Sequence, residues 1–170
     1  MTNWDTIVAS DGPLVWRTLW RLLADRADVE ECFQETFVAA LNLSRRERVG
    51  SWPAVLCHLA TARAIDRLRA RYRENGRRGG AEAVAVPLLE SAVSSEASPE
   101  QRAIAAELSE RLREALTRLP ERQAEIFSLH ALCGLSYREV SQQMQLSEGA
   151  VGVAVHRARR RLRELLGDVP

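Results

Sequence analysis

Apolar residues recur at spacings of three and four through residues 11–73, and this period predicts helices rather than strands. The first convincing helix opens at Asp11-Gly12-Pro13, with Asp11 as its cap and the proline in its first turn. Asp28 is predicted to cap a second helix, and a third is predicted from Ser51 to about Arg73. The N-terminal part of the chain should therefore fold as three helices around one core.

The same period returns after residue 98. Ser98-Pro99-Glu100 predicts the start of a helix, and Pro120 starts another that Gly134 ends. Residues 135–166 then predict two short helices joined by a tight turn. Ser136 and Glu139 form a capping box for the first, and Ser147 caps the second. The second carries one apolar stripe, made of Val151, Val155, Ala158, Leu162 and Leu165. Such a pair is typical of a helix-turn-helix that enters a DNA groove.

Periodicity fails between residues 79 and 98, where small residues, serines and Pro87 replace the apolar stripe. We therefore predict an all-α fold with two small helical domains joined by a flexible linker. The predicted boundaries are 1–78 for an N-terminal helical domain, 79–98 for an acidic linker, and 99–170 for a C-terminal domain that contains the helix-turn-helix.

Charge is unevenly distributed, although the net charge is only +1. All 24 basic residues are arginines, whose planar forks suit phosphate and guanine edges. Residues 63–78 contain seven arginines and two acids, residues 157–163 contain five arginines and no acid, and residues 79–110 contain six glutamates and one arginine. Two basic segments separated by an acidic one predict two nucleic-acid contacts.

Catalytic patterns are missing from the sequence. The three histidines are far apart and none has a partner at metal-ligand spacing, so we expect no metal, no cofactor and no enzyme activity. Three scattered cysteines, Cys32, Cys57 and Cys133, are expected to be buried thiols. No membrane span or secretion signal is visible, which predicts a cytoplasmic protein. At this level a DNA-binding protein competes with a helical adaptor that binds only proteins.

Three segments together resemble a known family. They are DVEECFQETF (28–37), SWPAVLCHLATARAIDRLRARYR (51–73) and the stretch from RLPERQAEIF through VHRARRRLREL (118–165). In their order and spacing they are similar to the extracytoplasmic-function sigma factors, the two-domain initiation subunits of bacterial RNA polymerase. The resemblance implies promoter recognition and transcription initiation. The alternatives are a stand-alone helix-turn-helix regulator and a helical protein-binding adaptor derived from a sigma factor.

The resemblance also implies roles for individual residues. The partners it implies are core RNA polymerase, through its β′ coiled coil and β, promoter DNA, and in many members an anti-sigma factor. The residues matching the polymerase-docking helix are Asp28, Glu31, Gln34 and Glu35. Those matching the minus-ten reader, which captures an unstacked base, are Arg45, Arg46, Arg48, Trp52, His58, Thr61, Arg63, Asp66, Arg67 and Arg69. Those matching the minus-thirty-five reader are Ser136, Arg138, Ser147, Glu148, His156, Arg157 and Arg160.

The recognition helix departs from the family pattern. Where the family commonly has threonine, lysine, serine and arginine, this chain has Ala150, Gly152, Val153 and Ala154. Family members also commonly have asparagine in place of Ala62. Each lost charge should weaken the duplex contact. Either small residues let the helix approach DNA closely and read its shape, or the minus-thirty-five contact is degenerate; the second is the favoured interpretation.

Overall fold

A computed structural model describes residues 2–78 and 98–167, and within these ranges every regular element is an α-helix. The predicted all-α fold is therefore confirmed. The linker expected at 79–98 lies outside the described residues except for Ser98. The helices are α1 (Trp4–Leu23), α2 (Arg26–Ser44), α3 (Trp52–Arg78), α4 (Pro99–Thr117), α5 (Glu121–Ala131), α6 (Tyr137–Met144) and α7 (Glu148–Leu166).

The first helix begins earlier than the prediction from Asp11, which is wrong. The helix starts at Trp4, and the side chain of Asn3 caps it by accepting from the Thr6 amide at 3.2 Å. Pro13 therefore lies inside the helix, where it removes one backbone donor. The two N-terminal turns form nevertheless because Ile7 is buried and the Trp4 ring meets Trp52 edge-on, with centroids 4.9 Å apart.

Two further boundaries differ from prediction. Asp25, not Asp28, caps α2, because its carboxylate accepts from the backbone N–H of Asp28 at 3.0 Å. Helix α3 continues to Arg78 instead of ending near Arg73. Its final turns are rich in arginine, which favours helix, and the Tyr72 hydroxyl donates to Glu110 of α4. Burial is the main reason that the pKa of Tyr72 is raised, so this hydroxyl stays protonated and keeps its proton to donate.

Helices α1–α3, here called the N-terminal unit, contact α4–α7, the C-terminal unit, along a common core. One apolar cluster contains Leu56 and Leu68 of α3 together with Leu116, Phe127 and Leu162 of the C-terminal unit. Another joins Ala54 and Cys57 of α3 to Ile126, Leu129 and Val140. The two predicted helical domains are thus docked on each other, in what we call the closed arrangement.

A buried arginine joins α4 to the end of α1. Arg113 is fully buried, and its Nε donates to the backbone oxygen of Arg21 at 2.9 Å. Burial lowers the pKa of Arg113, while Glu110, whose carboxylate lies 3.4 Å away, opposes that effect. Arg21 in turn donates to the Leu132 oxygen at 3.1 Å. The Arg21 carbonyl in the last turn of α1 and the Leu132 carbonyl after α5 are thereby both satisfied across the interface between the two units.

In the described ranges, no helix combines the length and the apolar character that crossing a membrane would require.

Candidate functional site

The residues predicted to dock on polymerase form one face of α2. We call Glu31, Gln34, Glu35 and Val38, all of them exposed, the α2 acidic surface. The side chains share this face because they are separated by three or four residues. Val38 was not predicted, although its spacing from Gln34 and Glu35 places it there; 59% of it is exposed. The surface therefore combines two carboxylates with an apolar side chain.

Asp28, the fourth predicted docking residue, lies one turn before this surface and is half-buried. Burial raises the pKa of its carboxyl, and the nearby guanidinium of Arg67 opposes that effect. Arg67 lies 3.2 Å from Asp28 and 2.7 Å from Glu31, and Arg63 lies 3.8 Å from Glu35. Two arginines predicted to read the minus-ten element thus pair with the predicted docking carboxylates.

The loop between α2 and α3 is an accessible basic feature of the N-terminal unit. Arg45, Arg46 and Arg48 are all exposed there, in what we call the arginine loop (45–51). Trp52, which follows it, is half-buried against Trp4 and so also has a structural role. The loop is available to a nucleic-acid backbone in the closed arrangement.

Three predicted minus-ten residues face the C-terminal unit instead of solvent. Thr61 is fully buried. His58 lines the same cavity as Gln143 of α6, and burial lowers the pKa of His58. Arg69 donates to the Leu119 oxygen at 2.7 Å and lies 3.6 Å from Glu121. Asp66, in contrast, is exposed. The docked C-terminal unit therefore covers part of the predicted minus-ten surface.

The helix-turn-helix forms as predicted, and its two serines act as caps. The Ser136 hydroxyl accepts from the Glu139 amide at 3.2 Å, while the Glu139 carboxylate accepts from the Ser136 amide at 2.8 Å. These hydrogen bonds from Ser136 lower the pKa of Glu139. Ser147 accepts from the Ala150 amide at 3.1 Å. Both serines are exposed, so a cap and a DNA contact are compatible.

The exposed face of α7 is cationic but interrupted by an apolar side chain. Val153 is 50% exposed, and Arg160 lies 3.9 Å from Glu164 of the same helix. The remaining predicted readers in this part of the chain are also exposed: Arg138, Glu148, His156 and Arg157. The predicted minus-thirty-five residues are thus presented to solvent on the helix-turn-helix.

Gly152 has a packing role inside this unit. It is half-buried, and a Cβ built on it would lie 3.4 Å from the Tyr137 ring of α6. Position 152 therefore faces Tyr137 of α6. Among the four departures from the family pattern, Ala150 and Val153 are exposed, whereas Gly152 and Ala154 are half-buried.

No group of three or more histidine, cysteine, aspartate or glutamate side chains that could hold a metal ion occurs within residues 2–78 and 98–167. The described residues instead form one acidic surface on α2 and two basic surfaces, on the arginine loop and on α7. Charged surfaces of this kind suit binding to macromolecules.

Comparisons with known proteins agree with this arrangement. The family model for sigma-70 region 2 matches residues 7–74, and that for sigma-70 region 4 matches residues 109–162. A sigma factor, RpoE, solved in complex with the anti-sigma factor NepR from Bartonella quintana, has a similar fold with a TM-score of 0.58. It is 21% identical and the alignment covers 95% of both chains.

Curated relatives are similar over most of this chain. ECF RNA polymerase sigma factor SigE of Mycolicibacterium smegmatis is 29% identical over 98% of this chain, and SigD of Mycobacterium tuberculosis is 34% identical over 79% of it. The chain spans about three fifths of these relatives, 62% and 61% of their lengths. ShbA of Streptomyces griseus is 35% identical over 81% of this chain and 71% of its own length. With both sigma-70 regions present in this order, the chain belongs to the extracytoplasmic-function family of RNA polymerase sigma factors.

Proposed function

We propose that this protein binds core RNA polymerase and directs it to promoters, where it helps to open the duplex and start transcription. One observation carries the proposal: an acidic surface, an exposed arginine loop and a cationic helix-turn-helix are displayed on separate elements of one chain. It acts by binding and not by catalysis. Two sigma-70 regions in a single chain do not favour the stand-alone regulator or the adaptor.

The α2 acidic surface would dock on the β′ coiled coil, with further contacts to β. Glu31 and Glu35 supply charge that can steer a basic partner and fix its orientation. Val38 supplies apolar area one turn after Gln34 and Glu35 on the same face, where burial on binding is favourable. The exposed carboxylates already pair with Arg63 and Arg67, so polymerase would exchange these intramolecular ion pairs for intermolecular ones.

The arginine loop and the adjoining part of α3 would bind the separated minus-ten strand. Three exposed arginines suit the phosphates of single-stranded DNA. His58 and Thr61 offer an imidazole and a hydroxyl at about one and a half and two and a half turns after Trp52 along α3, where they could read an unstacked base. Because both residues face the C-terminal unit in the closed arrangement, base capture requires the two units to separate.

Promoter geometry requires the same separation. The minus-ten and minus-thirty-five elements lie about 25 base pairs apart, which is roughly 85 Å of B-DNA. A compact chain of 170 residues is only about 40 Å across. The 19 residues from 79 to 97 can extend by up to roughly 60 Å. The closed arrangement would therefore be the form of the protein off the promoter.

Helix α7 would contact the minus-thirty-five element through His156, Arg157 and Arg160, but weakly. The apolar Ala150 and Val153 can touch thymine methyl groups, yet they neutralise no phosphate. An anti-sigma factor that holds the protein in the closed arrangement would be a natural partner, since the structurally similar RpoE was solved with one.

Restoring a charge to this helix should strengthen the duplex contact. We expect Val153→Arg to tighten binding of minus-thirty-five DNA by about fivefold at ~0.15 M salt and to steepen the salt dependence by about one ion. Val153 is half exposed, so the change should leave folding intact. Fluorescence anisotropy with polymerase holoenzyme over a salt series measures both quantities. Val8→Arg adds the same charge on α1 and should change neither.

Transcription in vitro with purified core polymerase and a promoter library tests the proposed function directly. We expect core-dependent, promoter-specific transcripts that are absent without this protein, and weak binding of duplex DNA by the protein alone. Tight duplex binding without polymerase, together with no transcripts, would indicate the stand-alone regulator instead.

A further inference from the structure

Two cysteines, one from each unit, meet at the interface between the units. Cys57 lies in α3 and is fully buried, whereas Cys133 lies in the turn after α5 and is partly exposed. Cys133 packs against the apolar cluster that contains Cys57, and its Sγ lies 3.7 Å from the hydroxyl of Thr61, one turn after Cys57 in α3. The two cysteines are 76 residues apart in sequence. They meet only because the two units are docked.

The surroundings of Cys133 favour its thiolate. The Cys57 thiol is a neighbour, and the hydroxyl groups of Thr18 and Thr61 lie 3.6 and 3.7 Å from its Sγ. The neighbouring Cys57 thiol and then the two threonine hydroxyls lower the pKa of Cys133 against the effect of burial. The neighbouring Cys133 and burial raise the pKa of Cys57.

Cys32 provides an internal contrast. It is buried in α2, and burial raises its pKa to about 11, so at neutral pH it is a thiol and a poor nucleophile. Among the three cysteines, only Cys133 combines partial exposure, a neighbouring thiol and hydrogen-bond donors around its sulfur. This combination is found in cysteines that react with oxidants and then with a resolving thiol.

We propose that Cys57 and Cys133 form a reversible disulfide that fastens the two units in the closed arrangement and so keeps the protein off promoters. The proposal rests on the proposed function, because it assumes that the units separate on the promoter. Cys57 directly precedes His58, and Thr61 touches Cys133. A bond at this point would therefore hold the C-terminal unit over the residues that are expected to read the minus-ten base.

Hydrogen peroxide would form this disulfide in two steps. The Cys133 thiolate attacks one oxygen, an S–O bond forms as the O–O bond breaks, and the released hydroxide takes up a proton to give water. Cys57 then attacks the Cys133 sulfur; an S–S bond forms, the S–O bond breaks, and the departing hydroxide takes the Cys57 proton as a second water. Two thiols lose two electrons in total. A dithiol reductant reverses the reaction by thiol–disulfide exchange.

Bond formation requires the two side chains to approach each other, because a disulfide places the sulfurs about 2.05 Å apart. Cys133 lies in a turn between α5 and α6, so the approach to α3 falls on a turn and not on a helix. Cys133 lies at the edge of the interface, so peroxide needs only a local opening to reach its sulfur.

The test uses the full-length protein with core polymerase, treated with hydrogen peroxide and then quenched. We expect peptide mass mapping to show a Cys57–Cys133 disulfide, and single-round transcription to fall at least tenfold and to recover with dithiothreitol. Cys133→Ser and Cys57→Ala should transcribe like the parent when reduced and should resist peroxide. Cys32→Ala, the matched control, should remain sensitive.

Each other outcome has a defined meaning. Transcription that persists with the disulfide mapped, failure of the disulfide to form, or loss of sensitivity in Cys32→Ala would each overturn the proposal. If Cys57→Ala fails to fold, as judged by circular dichroism, Cys133→Ser decides alone. A reduced parent protein that never transcribes would contradict the proposed function, and disulfide mapping would still show whether the two thiols react.

Discussion

Changing Glu31 and Glu35 together to arginine is expected to abolish core polymerase binding, with a loss of affinity of at least about 100-fold. Truncating one partner of a close interfacial charge pair costs roughly 2–5 kcal/mol, and reversal adds repulsion. Both carboxylates are about half exposed, so their reversal should leave the unit folded despite the neighbouring Arg63 and Arg67. Surface plasmon resonance with immobilised core enzyme measures the affinity.

Glu30→Arg is the matched control for this experiment. Glu30 lies on the same helix, is 49% exposed and pairs only locally with Arg26, at 2.8 Å. Its reversal should change core affinity by less than twofold. If the double variant binds as tightly as the parent protein, the α2 acidic surface is not the docking face.

Changing Arg45, Arg46 and Arg48 together to glutamate is expected to reduce open-complex formation by about 50-fold or more. Each arginine–phosphate contact with single-stranded DNA contributes about 0.7 to the salt slope, which is about fourfold in affinity at ~0.15 M salt. Three lost contacts of about fourfold each give a loss of roughly 60-fold, and the repulsion introduced by charge reversal increases it. Permanganate footprinting of the minus-ten region measures opening directly.

Core polymerase binding should be unchanged in this triple variant, because the arginine loop is separate from the α2 acidic surface. A double reversal of Arg26 and Arg102, both exposed and outside the proposed DNA path, should leave opening intact. Equal losses in the two variants would mean that net charge, and not the loop, determines promoter opening.

The helix-turn-helix could be predicted from sequence because its signals are local. The pairing of Ser136 with Glu139 and the cap at Ser147 act within four residues, and both occur as predicted. The stripe of Val151, Val155 and Ala158 is likewise buried. Local hydrogen bonds and a single apolar face are sufficient to define these helices.

The start of α1 and the buried face of α4 could not be predicted in this way. Trp4 extends α1 because its ring contacts Trp52, which lies 48 residues further along the sequence. Helix α4 buries Arg113 and Ser109, whereas Leu108 and Leu112 are only partly buried. Arginine is rarely buried without partners, so a sequence pattern places it at the surface. Besides Glu110, three residues before it, Arg113 binds a backbone oxygen of α1, and no local signal reveals that contact.

The sequence assigned individual residues to each predicted surface, but it did not indicate which of those residues contact one another or the C-terminal unit. The resemblance assigned Thr61 and His58 to the minus-ten reader without indicating that α6 and Cys133 would cover them. It also treated Arg67 and Glu31 as members of different surfaces, although they lie 2.7 Å apart. Contacts between distant segments depend on how the two units dock, and the spacing of apolar residues along the sequence does not indicate this.

The position of Arg67 has a consequence for how the two surfaces communicate. One guanidinium holds Asp28 and Glu31, and the same guanidinium is expected to meet DNA. A partner that captures Glu31 therefore releases Arg67 toward a phosphate, and a phosphate that captures Arg67 leaves Glu31 freer for that partner. Thermodynamic reciprocity makes the two effects equal in size. Through this one side chain, core polymerase and promoter DNA would bind the protein cooperatively.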